Sequence, residues 1–194
     1  MNYLIRNKIP LLFALLIVMI ACGPTTVLTR TWTDPSVTAA TFKPFTKVLV
    51  MARLKEETGN RIAEDKLVKQ FKPGVALASY AFLLPSDTLQ RAVDARLKKE
   101  GFDGLVLMRL KNVEQSVTVQ NSGYGGYYGN RYSSTNVYVD NNYLVETCIF
   151  SLETGKMLWS GTTSSMNPSS LETTLDEIIA ADKAQLIKQG LIKQ

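Results

Sequence analysis

Three apolar runs of strand length, spaced by stretches of helical period, constrain this chain most. They are Lys47-Val-Leu-Val-Met-Ala-Arg-Leu54, Val75 to Leu84, and Gly104-Leu-Val-Leu-Met-Arg-Leu110. Each is continuous in hydrophobicity rather than alternating, the pattern of a strand covered on both faces in a parallel α/β sheet. After the first run, Asn60 is placed to cap a helix over Arg61 to Phe71. Ala63, Leu67 and Phe71 recur there at four-residue spacing, and Asp65 and Lys69 form an i,i+4 pair. Pro73-Gly74 ends that helix. After the second run, Pro85-Ser86-Asp87 opens a helix whose Leu89, Val93 and Leu97 share one face, closed by Lys98, Lys99 and Gly101.

The third run passes into Lys111 to Gln120, where Val113, Val117 and Val119 alternate with polar residues. Such a change of period marks a strand leaving the covered part of a sheet. Asn136 to Leu152 is its expected partner, and Glu153-Thr-Gly155 turns into a last strand, Lys156 to Gly161. Ser169-Ser-Leu-Glu172 reads as a capping box for a final helix reaching about Gln189, with Leu171, Leu175, Ile178, Ile179 and Leu186 as its sheet-facing stripe. The expected fold is a single-domain α/β sandwich with a mixed sheet, of order β-α-β-α-β-β-β-α, over residues 46–190. Two right-handed crossovers make its first three strands parallel.

The N-terminus sets the compartment. Arg6 and Lys8 precede an apolar run from Leu11 to Ala21, and small Ala21 stands directly before Cys22. That order reads as a secretory signal over residues 1–21. The run is about half the ~20 residues a membrane-spanning helix requires. Met19-Ile20-Ala21-Cys22 resembles the lipobox of bacterial lipoproteins, with Met19 where that family usually has Leu. The resemblance implies cleavage between Ala21 and Cys22, a covalent lipid on Cys22 and no other cofactor. Cys22-Gly-Pro-Thr-Thr has neither an Asp after the cysteine nor an acidic cluster. By the same resemblance, this implies an outer-membrane anchor with the domain facing the periplasm. Residues 22–45 read as a lipidated tether merging into the domain edge, where Trp32 covers a sheet edge rather than stacking on a ligand.

Removing 21 of 194 residues leaves 173, a natural size for one domain, and 45% apolar with 20% charged residues is globular composition. Without Arg6 and Lys8 the formal charge falls from +5 to +3. No dense Lys/Arg stripe accompanies it, so nucleic acid is not an expected partner. With Cys22 lipidated, Cys148 has no partner for a disulfide and reads as a small buried apolar side chain.

The chain has no histidine, which removes Ser-His-Asp and Cys-His catalysis and histidine-bearing zinc sites. No catalytic or metal-binding residues are expected, and the protein is not expected to be an enzyme. Arg109 interrupts the third apolar run and Glu146 a later one, so the two are expected to pair across the sheet, with Arg61 and Glu64 as alternative partners. Residues 121–134 hold four glycines and four tyrosines in fourteen positions. Tyr124, Tyr127, Tyr128 and Tyr132 are the candidate partner contacts, because tyrosine offers amphipathic area at low rotamer cost on an adaptable glycine-rich tip.

Lys47-Val-Leu-Val50, Asn60-Arg-Ile-Ala-Glu64, Gly101-Phe-Asp-Gly104 and the stretch from Glu146 to Trp159 resemble the small α/β domain of the TolB amino-terminal region. Curli-secretion lipoproteins and lipoprotein activators of penicillin-binding proteins share that domain. The resemblance implies compartment and fold, and no functional residue set carries over. No segment reads as the membrane-crossing hairpin of a curli-type pore. The expected function is a lipid-anchored envelope protein whose periplasmic domain binds another protein. Self-association as an oligomeric secretion component is the alternative, and an envelope enzyme the third.

Overall fold

The computed structural model of the protein describes residues 25–83, 90–124 and 132–192. The signal region, Ala21, Cys22, Tyr127, Tyr128 and the Pro85-Ser86-Asp87 helix start lie outside them. The elements in chain order are β1 (Thr26–Thr33), β2 (Val48–Arg53), α1 (Glu57–Val68), β3 (Ala76–Ala78), α2 (Ser79–Phe82), α3 (Gln90–Lys99), β4 (Gly104–Tyr124), β5 (Tyr132–Ser151), β6 (Lys156–Met166) and α4 (Leu171–Lys188). The six strands form one mixed sheet in the order β1-β6-β5-β4-β2-β3. β2 is parallel to both β3 and β4, and the β4-β5, β5-β6 and β6-β1 pairs are antiparallel.

β2 is buried on both faces, as its unbroken hydrophobicity requires. Val48, Val50 and Ala52 point to one side, where Val106, Met108 and Val145 join Ala63 and Leu67 of α1 and Leu175, Ile178 and Ile179 of α4. Leu49 points to the other, against Leu97 of α3 and Phe102. Gly101 has φ 77°, and Phe102 N donates to Leu97 O at 3.0 Å. A left-handed residue after the helix therefore turns Phe102 back onto α3, the αL closure that glycine permits.

The element order departs from β-α-β-α-β-β-β-α in two places. The segment expected as tether and domain edge contributes a full edge strand, β1, with Thr26 opposite Ser165 and Trp32 opposite Ser160. Its Thr and Val content suits a pleated surface, and Pro24 and Pro35 flank the strand instead of interrupting it. Trp32 remains partly exposed on that edge. The expected strand Val75 to Leu84 is only Ala76–Ala78, followed by the helical turn α2. The buried carboxylate of Glu64 explains the break. It accepts from Ala52 N at 2.9 Å, Ser79 Oγ at 2.7 Å and Tyr80 N at 3.2 Å, so the chain after Ala78 serves Glu64 and not the sheet ladder.

Helix starts also shift. α1 begins at Glu57, and Asn60 lies within it, with Oδ1 accepting from Leu54 N at 2.6 Å. α4 is capped by Ser170, whose Oγ accepts from Thr173 N at 3.1 Å, one residue later than the Ser169-to-Glu172 box. Asp65 accepts from the Tyr80 hydroxyl at 2.7 Å. Among the described residues no helix is long and apolar enough to cross a membrane.

Candidate functional site

β4 and β5 outrun the rest of the sheet. β4 is paired with β2 only as far as Arg109, and β5 with β6 only as far as Asn142. Beyond that, the two strands pair only with each other, from Gln115 opposite Asn141 to Tyr124 opposite Tyr132. At about 3.3 Å per residue this ribbon projects roughly 30 Å from the body. It has two chemically different faces. Val113, Val117 and Val119 stand opposite Tyr143, Val139 and Val137, interrupted once by Gln115 donating to Asn141 at 2.9 Å. The four valines at 117, 119, 137 and 139 are 52–62% exposed. The other face carries Glu114, Ser116, Thr118, Asp140 and Asn142, with Tyr138 among them.

The foot of the ribbon is clasped by Asn167, which follows β6. Its φ is 46°, the left-handed region that asparagine tolerates better than most residues. In that conformation its N–H donates to Asn141 O at 2.8 Å and its Oδ1 accepts from Asn141 N at 2.8 Å. Its Nδ2 also donates to Asp140 Oδ1 at 2.7 Å.

Below the clasp, on the face opposite α1 and α4, the structure brings Arg109 and Glu146 together as directly opposed residues of β4 and β5. Arg109 Nε donates to Glu146 Oε2 at 2.7 Å, and Lys111 Nζ donates to Oε1 at 3.1 Å. The side chains are 50% and 12% exposed for Arg109 and Glu146, so the carboxylate is covered and the guanidinium reaches solvent. Burial raises the Glu146 pKa, and the hydrogen bonds and charges of Arg109 and Lys111 outweigh it, leaving a net lowering. Cys148, free and buried beside them, has its thiol pushed up to about 11, by burial first and then by the Glu146 charge. A thiol held protonated in this way is a poor nucleophile. Arg61 pairs instead with Glu57 at 3.1 Å, and Glu64 is taken up by the β2 and α2 contacts described above.

Two buried carboxylates carry roles that sequence reasoning missed. Glu64 is the polar pin between α1, β2 and α2. Asp182 of α4 is 6% exposed, and neither of its oxygens, nor Thr147 Oγ1 of β5, has a hydrogen-bond partner among the described residues. Burial drives its pKa up to about 7, and the neighbouring Thr147 hydroxyl, which lies outside hydrogen-bond geometry, opposes this only in part. A Cβ on Gly161 of β6 would meet Asp182 Oδ1 at 2.9 Å and collide with the Trp159 ring, so glycine makes the room. The signal for Asp182 was present, because it continues the Leu175, Ile178, Ile179 stripe at helical spacing. Among the described residues, no group of three or more Cys, Asp or Glu converges as a metal cage.

Tyr124 and Tyr132 form the last described rung of the ribbon. Tyr127 and Tyr128, between them in sequence, lie outside the described residues, as do Ala21 and Cys22.

No family model matches the chain, and no curated protein matches it. Among solved structures it is similar to the PelC dodecamer from Paraburkholderia phytofirmans, with 12% identity over 87% of this chain and 99% of that one, at a TM-score of 0.45. It is also similar to lipoprotein GNA1162 from Neisseria meningitidis, with 12% identity over 74% of this chain and 99% of that one, at a TM-score of 0.39.

Proposed function

We propose that this is a lipid-anchored envelope protein whose α/β domain binds another protein and catalyses no reaction. In this reading the signal is cut between Ala21 and Cys22, Cys22 is acylated, and the domain faces the periplasm from the outer membrane. The N-terminal residue order supports the anchor, and the β4-β5 ribbon supports the binding role. Natural proteins blunt or cover long free strand edges, because unpaired N–H and C=O groups recruit further strands. Here the outer edge of β4 beyond Leu110 and that of β5 before Asn142 have no strand partner among the described residues. An added strand gains main-chain hydrogen bonds from such an edge, with side-chain pockets supplying the selectivity.

The two open edges also favour the second reading, self-association as an assembly component. A ribbon edge of one copy is chemically matched to the opposite edge of the next, which is a heterologous contact.

The test replaces Tyr124, Tyr127, Tyr128 and Tyr132 with serine and crosslinks intact cells. The expected result is an unchanged melting temperature with a sharp loss of one captured partner. Loss of self-crosslinks alone would select the assembly reading. Capture of the same partners in the same yield would remove the tip from the binding surface.

A further inference from the structure

The N-terminus and the ribbon leave the body at the same end. Thr26 opens β1 opposite Ser165, Met166 is paired with Asn142 at the ribbon foot, and Met166 N donates to Thr25 O at 3.3 Å. β1 runs antiparallel to β6, so its N-terminal end lies at the end of the sheet from which the ribbon projects. Thr25 is itself held to the body, its Oγ1 donating to Glu177 Oε2 at 3.1 Å. Only residues 23 and 24 separate it from Cys22, and three residue steps span at most about 11 Å. An acylated Cys22 therefore holds the bilayer surface within about 11 Å of the body. The ribbon projects roughly three times that distance from the same end, long enough to reach that surface.

The surface chemistry at that end matches a lipid phase. Exposed large apolar side chains of the described residues concentrate there, with Val117, Val119, Val137 and Val139 on one ribbon face and Met166 and Leu171 near its foot. The charged residues of the described ribbon, Glu114 and Asp140, are both acidic and lie on its opposite face, so the valine face carries no charge into a lipid phase.

We propose that the valine face of the β4-β5 ribbon lies on the bilayer leaflet that holds Cys22, as an interfacial β-ribbon. This rests on the anchor reading above. A single ribbon does not span the membrane, because its open edges would carry unsatisfied backbone groups into hydrocarbon. Lying in the interface, it buries the valines among acyl chains and leaves Glu114, Ser116, Thr118 and Asp140 to water. The edges remain at headgroup depth, open to a protein strand arriving in the membrane plane.

The experiment uses the full acylated chain in phosphatidylethanolamine–phosphatidylglycerol vesicles, with an NBD fluorophore on Val139→Cys or, on the opposite face, Thr118→Cys. Buried Cys148 does not compete for the label. The expected result at position 139 is a blue shift on vesicle addition, loss of quenching by aqueous iodide, and strong quenching by nitroxide-bearing lipids. Position 118 should stay open to iodide. A label at 139 that iodide quenches as readily as one at 118 would overturn the proposal. Protection without nitroxide quenching, growing with protein concentration, would also overturn it and assign the face to a second copy.

Cys22→Ser carrying an N-terminal oligohistidine tag, held on nickel-chelating lipid, gives the same two readings without acyl chains. Failure of the anchor reading, seen as an unacylated Cys22 by mass spectrometry, is thereby separated from failure of the ribbon to meet lipid.

Discussion

Asp182 and Glu146 are both covered carboxylates, and their surroundings send them in opposite directions. Asp182 faces Thr147, Gly161 and Trp159 and, among the described residues, no basic group, so burial raises its pKa from 3.8 to about 7. The folded state then holds a proton that the unfolded chain releases near pH 4. Its contribution is fully present below that pH and is lost as pH rises to about 7, at most on the order of 4 kcal/mol. Urea unfolding should therefore show stability falling between pH 5 and pH 8, and Asp182→Asn should flatten the slope and match or exceed the parent at pH 8. A parent that gains stability over that range, with an unaltered slope in the variant, would mean that Asp182 is ionised in the fold. Glu146 and Asp103 have depressed pKa values, so their contribution is present above about pH 4 and is lost only in stronger acid.

For the Arg109–Glu146 pair, removal of one partner of a fully buried ion pair would cost about 3–5 kcal/mol. Arg109 is half exposed, however, and Lys111 remains on the other carboxylate oxygen. Arg109→Ala should accordingly cost no more than about 1 kcal/mol. Glu146→Ala should cost about 1–3 kcal/mol, because it strips a covered acceptor from two donors. Chemical denaturation of the two variants reads this order directly, and equal losses of 3 kcal/mol or more would show that the guanidinium is buried in solution.

At the scale of elements, the ribbon is separable from the domain that carries it. Among the described residues, no side chain beyond Leu110 on β4 or before Val145 on β5 belongs to either core cluster. Joining Val113 to Tyr143, which stand opposite each other, through an Asn-Gly turn should leave the melting temperature within a few degrees of the parent, since an Asn-Gly two-residue hairpin is among the favoured turns. A large drop would mean that the ribbon packs on the body.

Much of this architecture was legible. Continuous hydrophobicity in Val48–Val50 and Val106–Met108 marks strands covered on both faces. The switch to alternation after Leu110 marks β4 leaving the sheet, because burial on one face imposes period two. β3 was misread because hydrophobic pattern registers burial and not hydrogen bonding. Val75 to Leu84 is apolar throughout, yet the Glu64 carboxylate claims Ser79 and Tyr80. β1 was hidden for the converse reason, since an edge strand with little buried area leaves a weak pattern. The cross-strand meeting of Arg109 and Glu146 followed from two isolated charges in apolar runs. The clasp at Asn167 had no sequence signal, since its role depends on a left-handed backbone at one residue.

For the whole molecule, the sheet joins two ends of different character. At one end the short turn Glu153-Thr-Gly155 and the helix-closing Gly101 present ordinary polar loops. At the other, the N-terminal segment, the ribbon foot and the start of α4 converge. If Cys22 is acylated, every approach to the ribbon takes place next to a membrane, and a partner is sought in two dimensions rather than three. Three acyl chains, at about 0.8 kcal/mol per buried CH₂, would make that attachment effectively permanent, where a single chain is marginal.

The intact mass of the protein purified from envelopes, with its Cys22→Ser counterpart, tests this central claim most directly. The account requires a mature chain beginning at Cys22 and carrying covalent acyl mass, with Cys22→Ser released from the membrane fraction or retained as uncut precursor. A parent beginning at Met1 with a free thiol at Cys22, fractionating identically to Cys22→Ser, would contradict it.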